Sequence, residues 1–523
     1  MKKLVQWMLA ATRPLVLTMV LCGSTAKAQT AADSTYVMPD EYADAGYFMP
    51  APPDSMSLAF ADDLLQWQWG KSMRTTERGQ RASREAVVKP GAICAWMAEI
   101  LQLDAINDDA TPALSRLVLK ARSTGINSPS SAKLRFGRTR PFALMNEQPW
   151  APSDTIVNPH FSYPSGHTAT GWALALVMAE MWPALQDTIL RRGFEYGENR
   201  VIVGAHWQSD VASGYLCGAA AIARAHANPA LEADISAARE EYARLKGLSV
   251  PDEGYPVPED YAVGVGGMPR GERILNAPVD TASYRYIGEY MRYRQAFALR
   301  ETERGDQAVA EGDKTMAHFA EIFGGAMGIT VSETETPAIW QLILAARTAS
   351  SRAATTLKDV KFRKRPFVQT GEATAIPEEE PSHVTSSSYP SAHSCMSWGI
   401  ALTLAEMVPE HQDEILRRGY EFGYSRLIVG YHWGTDIDDA RLLASATVAR
   451  QHADPQFRQL IAAARQEYEG LVTPVLPVAL PYLYSTETSA HGQASDLRLD
   501  GIPATAATRG IVIENNKKTI KQR

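Results

Sequence analysis

Three short clusters of basic and imidazole side chains occur twice in this chain, in the same order. The first set runs Lys133-x6-Arg140-Pro141, then Tyr163-Pro164-Ser165-Gly166-His167, then Arg200-x5-His206-x3-Asp210. The second runs Lys358-x6-Arg365-Pro366, then Tyr389-Pro390-Ser391-Ala392-His393, then Arg426-x5-His432-x3-Asp436. One lysine and two arginines per set supply fixed positive charge, and the guanidinium fork matches the oxygens of phosphate or another tetrahedral oxyanion. Such a set predicts an anion site. Ser165-Gly166 and Ser391-Ala392 stand just ahead of apolar helical runs, so their backbone N–H groups are expected to join the positive end of a helix around the same anion. Breaking a P–O bond needs a nucleophile on phosphorus and a proton donor to the leaving oxygen, and two imidazoles per set can divide those roles. His206 and Asp210, four residues apart, are expected to share a helix face, where the carboxylate fixes the ring tautomer and stabilises its cation. That assigns the nucleophile to His206, and to His432 beside Asp436 in the second set. His167 and His393 remain as general acids.

The elements that position these clusters are repeated as well. Thr76-Glu77-Arg78-Gly79 recurs as Thr302-Glu303-Arg304-Gly305, Arg191-Arg192-Gly193 as Arg417-Arg418-Gly419, and Ile202-Val203-Gly204 as Ile428-Val429-Gly430, each 226 positions on. A period this long is no solenoid, whose units run about 20–50 residues and need neighbours to complete a core. The chain reads as two copies of one domain, at 29–248 and 276–480, joined by a Pro-, Gly- and acid-rich linker at 249–275. Gly171 to Trp182 and Ser397 to Val408 are almost wholly apolar and stop at Pro183 and Pro409, which suits helices buried on all sides. Neither copy contains an alternating run, so the fold class is all-α. The tail, 481–523, departs from this: Gly510-Ile511-Val512-Ile513 followed by Asn515-Asn516 and Lys517 predicts a hairpin, hence a small β-rich appendage.

The three clusters match the signature of the type 2 phosphatidic acid phosphatase superfamily, K-x6-R-P, P-S-G-H and S-R-x5-H-x3-D. The sequence between them resembles bacterial class A non-specific acid phosphatases, in Ser162 through Thr168, Gly171-Trp172-Ala173, Arg192 through Glu195, and His206-Trp207-Gln208-Ser209-Asp210. The resemblance covers roughly residues 50–245 and 276–470. It implies an all-helical fold, a phosphohistidine on the third-motif histidine, general acid catalysis by the second-motif histidine, no metal ion and no cofactor. It also implies a periplasmic enzyme acting on many small phosphomonoesters at acidic pH. The superfamily includes vanadate-dependent haloperoxidases, which hold vanadate in the same cradle, and this is the alternative reading. Two departures bear on the site. Asn199 replaces the signature serine in the first copy, a change that can keep a hydrogen bond. Ala392 replaces the signature glycine in the second, where a methyl strains the turn if its φ is positive. Glu378-Glu379-Glu380 would also repel an anion if it lies at the second mouth. The first copy is therefore expected to carry most turnover; a second alternative makes the second copy a non-catalytic phosphate-binding module, and the two repeats are expected to pack as an internal pseudo-dimer.

Composition sets the outer bounds. With 45% apolar and 21% charged residues, the chain can build ordinary packed cores and is neither disordered nor collagen-like. A net charge of −7 leaves no basic field for nucleic acid. Residues 1–28 read as a signal peptide: Lys2, Lys3 and Arg13 precede an apolar run, and Ala26-Lys27-Ala28 offers cleavage after Ala28, hence a periplasmic or secreted location. No later stretch is long and apolar enough to span a membrane. Cys94, Cys217 and Cys395 remain after cleavage, an odd number, so at least one thiol is expected to stay free within the chain.

Overall fold

The computed structural model describes residues 34–251, 254–258, 267–472 and three short tail segments. The signal segment, much of the linker and Asn515-Asn516 lie outside the described residues. The chain forms two compact units, Met1–Leu471 and Val472–Arg523. In the second, strands Leu497–Arg498, Gly510–Glu514 and Lys517–Lys521 pair antiparallel in that order, with Glu514 opposite Lys517.

The first unit is built from helices. In the first copy these are α1 (Leu58–Met73), α2 (Pro112–Asn127), α3 (Ser130–Phe136), α4 (Gly166–Met181), α5 (Gln186–Ile202), α6 (Gln208–His226) and α7 (Pro229–Lys246). The second copy repeats them as α8 (Arg285–Phe297), α9 (Pro337–Val360), α10 (Ala392–Met407), α11 (Gln412–Ile428), α12 (Gly434–His452) and α13 (Pro455–Leu471), α9 spanning what α2 and α3 divide. Further helices, among them Pro90–Leu101 and Met316–Met327, and short helical turns complete each copy.

Helix α4 is the axis of the first copy. Its sequence is apolar all round, and every residue except His167 is buried. Ser165 caps it, the hydroxyl accepting from the Thr168 amide at 3.2 Å; Ser391 caps α10 in the same way at 3.3 Å. Helix α5 can lie close against α4 because residue 193 is glycine: a Cβ there would meet the Ala175 Cβ at 2.3 Å. The more exposed face of α5 carries Arg and Glu residues that pair along it, as Arg191 does with Glu195 at 3.0 Å.

The two copies make reciprocal contacts. The arm that precedes the first copy lies on α11: the Asp44 amide donates to Asp413 at 2.8 Å, Gln412 donates to the Glu41 carbonyl at 2.9 Å, and the Tyr47 hydroxyl donates to Glu414 at 2.8 Å. The arm that precedes the second copy lies on α5. There Gln186 donates to the Gly267 carbonyl at 2.7 Å, the Arg270 amide donates to Asp187 at 3.0 Å, and Asn276 donates to Glu198 at 2.7 Å. Helices α1 and α8 also meet, the Ala59 amide donating to Gln295 at 2.7 Å and Arg285 to Gln66 at 2.8 Å. Cys94, Cys217 and Cys395 are buried and free. No helix among the described residues is long and apolar enough to cross a membrane.

Candidate active site

The three clusters of each copy converge at the start of its buried helix. Lys133 comes from α3 and Arg140 from the turn that caps the next short helix, while Arg200 sits in the last turn of α5. Main-chain carbonyls aim these cations. Lys133 Nζ donates to the Phe161 carbonyl at 2.8 Å, and Arg140 donates to the carbonyls of Asn158 (2.8 Å), Ala205 (3.0 Å) and Phe161 (3.1 Å). In the second copy Lys358 donates to Ser387 at 2.7 Å and Arg365 to Tyr431 at 3.0 Å. Burial, and then the neighbouring arginine, lower the lysine pKa to about 7 in both copies. Burial likewise brings Arg140, Arg365 and Arg426 down to about 10. Lys133, Arg140 and Arg200 stand close enough to disfavour one another's charge, the electrostatics of an anion site.

The nucleophile position departs from the sequence expectation. His206 is not on a helix: α6 begins at Gln208, Trp207 is its N-cap, and His206 stands in the preceding turn. The four-residue spacing still works, because Asp210 is the third residue of α6 and its carboxylate reaches back over the cap. It accepts from the Trp207 amide at 2.9 Å and stands 3.4 Å from His206 Nδ1. Asp436 does the same, 2.8 Å from the Trp433 amide and 3.6 Å from His432 Nδ1. Arg140 Nη1 lies 2.8 Å from His206 Nε2; since a guanidinium can only donate, Nε2 carries a lone pair and Nδ1 the proton. Arg365 makes the equivalent approach to His432 at 3.3 Å. Burial, then the cationic neighbour, depress the pKa of both rings, His432 to about 3, so both are neutral bases.

The helix-start amides also need correction. The Ser165 amide donates to the Asp210 carbonyl at 2.9 Å and the Ser391 amide to Asp436 at 2.9 Å, so neither is free for an anion. The first-turn amides of Gly166-His167 and Ala392-His393 have no acceptor within the helix and stand beside the serine hydroxyls. His167 Nε2 is 2.9 Å from the Ala86 carbonyl and His393 Nε2 3.0 Å from that of Gly312. A carbonyl only accepts, so Nε2 carries a proton and Nδ1 is the atom left for acid–base work. Both rings have pKa values pushed well below the ordinary value, by burial and then by Arg200 or Arg426.

Comparison with known proteins now has a site to refer to. The family model of the PAP2 superfamily matches residues 113–230 and 339–451, spanning the clusters of both copies. A non-specific acid phosphatase of Providencia stuartii is 37% identical over 199 residues, covering 38% of this chain and 80% of that protein. The chain belongs to the PAP2 superfamily. A non-specific acid phosphatase of Salmonella typhimurium is 34% identical over 189 residues, 36% of this chain and 75% of that protein, and an acid phosphatase of Zymomonas mobilis is 32% identical over 171 residues, 33% and 65%.

Around the clusters, each PAP2 copy has a layer that the sequence reading missed. Arg138 bridges Asp210 and Asp63 at 2.6 Å each, and the Ser162 hydroxyl donates to Asp210. Arg363 bridges Asp436 and Glu289 at 2.7 Å each, with Ser388 donating to Asp436 at 2.5 Å. Burial alone would raise the Asp210 pKa; Arg138 and then His206 reverse this and keep it well below the carboxylate range. Arg138 lies two residues before Arg140, and its recurrence as Arg363 is the signal that was available.

The departures between copies resolve on inspection. Asn199 Nδ2 donates to Glu85 at 2.5 Å, and Ser425 donates to the matching Glu311, so the bond is kept. Gly166 and Ala392 are both the first residues of their helices and neither has positive φ. A Cβ on Gly166 would find its nearest neighbour at 3.6 Å, an ordinary contact, so the methyl of Ala392 causes no strain. A different contrast separates the sites. In the first, Asp154 and Arg200, each 1% exposed, pair at 2.6 Å. In the second, Glu379 holds the place of Asp154 but is exposed, and reaches Arg426 only as a nearby charge that raises its pKa. Glu380 is occupied with the Thr374 amide at 2.6 Å.

Proposed function

We propose that this protein hydrolyses phosphomonoesters at two histidine sites, one per copy, through a phosphohistidine intermediate that needs no metal ion. The observation that carries this is the state of His206: a buried neutral ring whose Nε2 lone pair is aimed by Arg140 into a cradle of three cations and helix-start amides. The Nε2 lone pair attacks phosphorus as the ester P–O bond breaks, and the leaving oxygen takes the proton from Nδ1 of His167. Asp210, held by Arg138, faces the Nδ1–H of the developing cation. Water, losing a proton to the now neutral His167, then displaces phosphate from His206. Lys133, Arg140 and Arg200 supply the charge that a divalent ion would otherwise bring. His432, His393, Asp436, Lys358, Arg365 and Arg426 take the same roles in the second copy.

The reading extends to organisation. The copies, at 29–248 and 276–480, form an internal pseudo-dimer, a reading supported by the reciprocal arm contacts on α5 and α11. The segment before Gln29 directs export, and the strands of the tail belong to a small β appendage. The deciding experiment is acid-quench trapping of labelled phosphate on the full chain with EDTA present. Wild type should label, His206→Ala and His432→Ala should each keep part of the label, and the double variant should have none. Undiminished label in the double variant, or activity restored only by an added metal, would reject the mechanism.

A further inference from the structure

Four side chains outside both cradles meet where the copies join. Glu180 on α4 and His226 at the end of α6 come from the first copy; Glu406 on α10 and His452 at the end of α12 come from the second. The two imidazoles stack with 3.9 Å between ring centroids. His226 Nε2 is 3.1 Å from Glu180, and His452 Nε2 is 2.6 Å from Glu406. Glu180 is wholly buried, yet neither of its oxygens makes a well-formed hydrogen bond. The arginines nearby do not answer these carboxylates. Arg239 donates to the Met181 and Glu180 carbonyls, and Arg465 to those of Met407 and Glu406. His452 lies between the Val448 carbonyl and Glu406, so in this arrangement both its nitrogens carry protons, and its one imidazolium faces two buried carboxylates, an imbalance that is costly away from water.

We propose that this cluster binds one divalent transition-metal ion, with zinc as the best match, through the two histidine Nε2 atoms and the two glutamates. The donor atoms of His226, Glu406 and His452 already lie within 4.8 Å of one another. Tetrahedral zinc bonds of about 2.0–2.2 Å place ligand atoms about 3.3–3.5 Å apart, so these three close by roughly 1 Å, and Glu180, 3.1 Å from His226 Nε2, stands beside them as the fourth donor. His452 Nδ1 is 2.9 Å from the Val448 carbonyl, the outer-shell bond that orients a metal-binding imidazole and leaves Nε2 for the ion. Two neutral imidazoles and two carboxylates make the occupied site uncharged, and that donor set favours zinc over magnesium or calcium. The ion would join the copies, since each supplies one histidine and one glutamate. It would take no part in hydrolysis, because none of the four residues contributes to a cradle.

The test uses the full chain in saturating inorganic phosphate, which keeps metal out of the cradles. After zinc loading and gel filtration, elemental analysis should find one zinc per chain. Chelation should remove it and lower Tm while leaving phosphatase activity, assayed after the phosphate is removed, unchanged, and cobalt loading should give the intense visible bands of a tetrahedral site. The Glu406→Gln/His452→Gln double variant should lose the zinc. Substoichiometric zinc in wild type together with absent cobalt bands would overturn the proposal, and this arm does not depend on the variant folding. Full retention by a folded double variant would also overturn it by placing the metal elsewhere. A chelator that abolishes activity would instead count against the metal-free mechanism.

Discussion

Asp154 and Glu379 hold matching places beside Arg200 and Arg426, yet only Asp154 is buried against its arginine. A buried carboxylate on a cradle guanidinium competes with phosphate for the same donors. In a protein whose second nucleophile is removed, Asp154→Asn should lower the inhibition constant for inorganic phosphate about tenfold, equivalent to about 1.4 kcal/mol. Tm should fall, since Arg200 loses its partner. Glu379→Gln, tested with the first nucleophile removed, should change its constant less than about twofold, because water screens an exposed charge. An unchanged constant in Asp154→Asn would reduce that residue to packing. Gly166→Ala and Ala392→Gly should each leave kcat/KM within about twofold, since the position is an unstrained first helical residue with room for a methyl. A large gain from Ala392→Gly would restore the unequal ranking expected from the motif. A pH effect follows from His167 and His393, whose pKa values burial and then the cradle arginines depress. A bound dianion favours the protonated ring and raises its pKa, so binding takes up a proton and strengthens as pH falls, until phosphate itself protonates. Calorimetry at about pH 8, where phosphate is already the dianion, in buffers of different ionisation enthalpy should detect this uptake, and none would be seen if the rings stayed neutral. The lysine, arginine and histidine clusters of the candidate site were legible in the sequence because their types are unusual together. Asp63 and Glu289 were not, because a lone acid far from the motifs carries no sign of the arginine it meets.

The helices were legible where composition was extreme, as in the apolar run of α4 that ends at Pro183. The nucleophile's element was not, because a spacing of four fits both a helical face and a residue that precedes a cap. The turn between α5 and α6 depends on Gly204, with φ of +75°, and a Cβ there would stand 2.4 Å from Arg74 Nη2. Arg74 itself donates to the Ile202 carbonyl at 3.0 Å and closes the turn from outside. The second copy repeats this with Gly430, φ of +91°, and Arg300. The Ile-Val-Gly repeat is thus a backbone requirement two residues before each nucleophile. Gly204→Ala should destabilise by about 1–2 kcal/mol from left-handed strain alone, with more from displacing the guanidinium. Thermal melting and first-site activity should both fall. Unchanged values would show that the turn relaxes without penalty.

At the scale of the molecule, the duplication was legible from the 226-residue period, whereas the arms were not. Their acceptors include the main-chain carbonyls of Glu41 and Gly267, and main chain leaves no pattern in a sequence. A protease site inserted between Pro258 and Gly267 should, after cutting, leave two fragments that co-elute in native gel filtration and keep phosphatase activity. Fragments that separate at physiological salt would show that the arms hold too little. Were each copy a free polypeptide, the same arms would make their association bimolecular, and the melting temperature would rise with protein concentration. Joined in one chain, the second arm meets its seat at an effective concentration set by the linker, in the millimolar range for short flexible ones. The exchange of arms within one chain therefore frees the protein from mass action: it keeps both copies together at concentrations where two separate chains would drift apart.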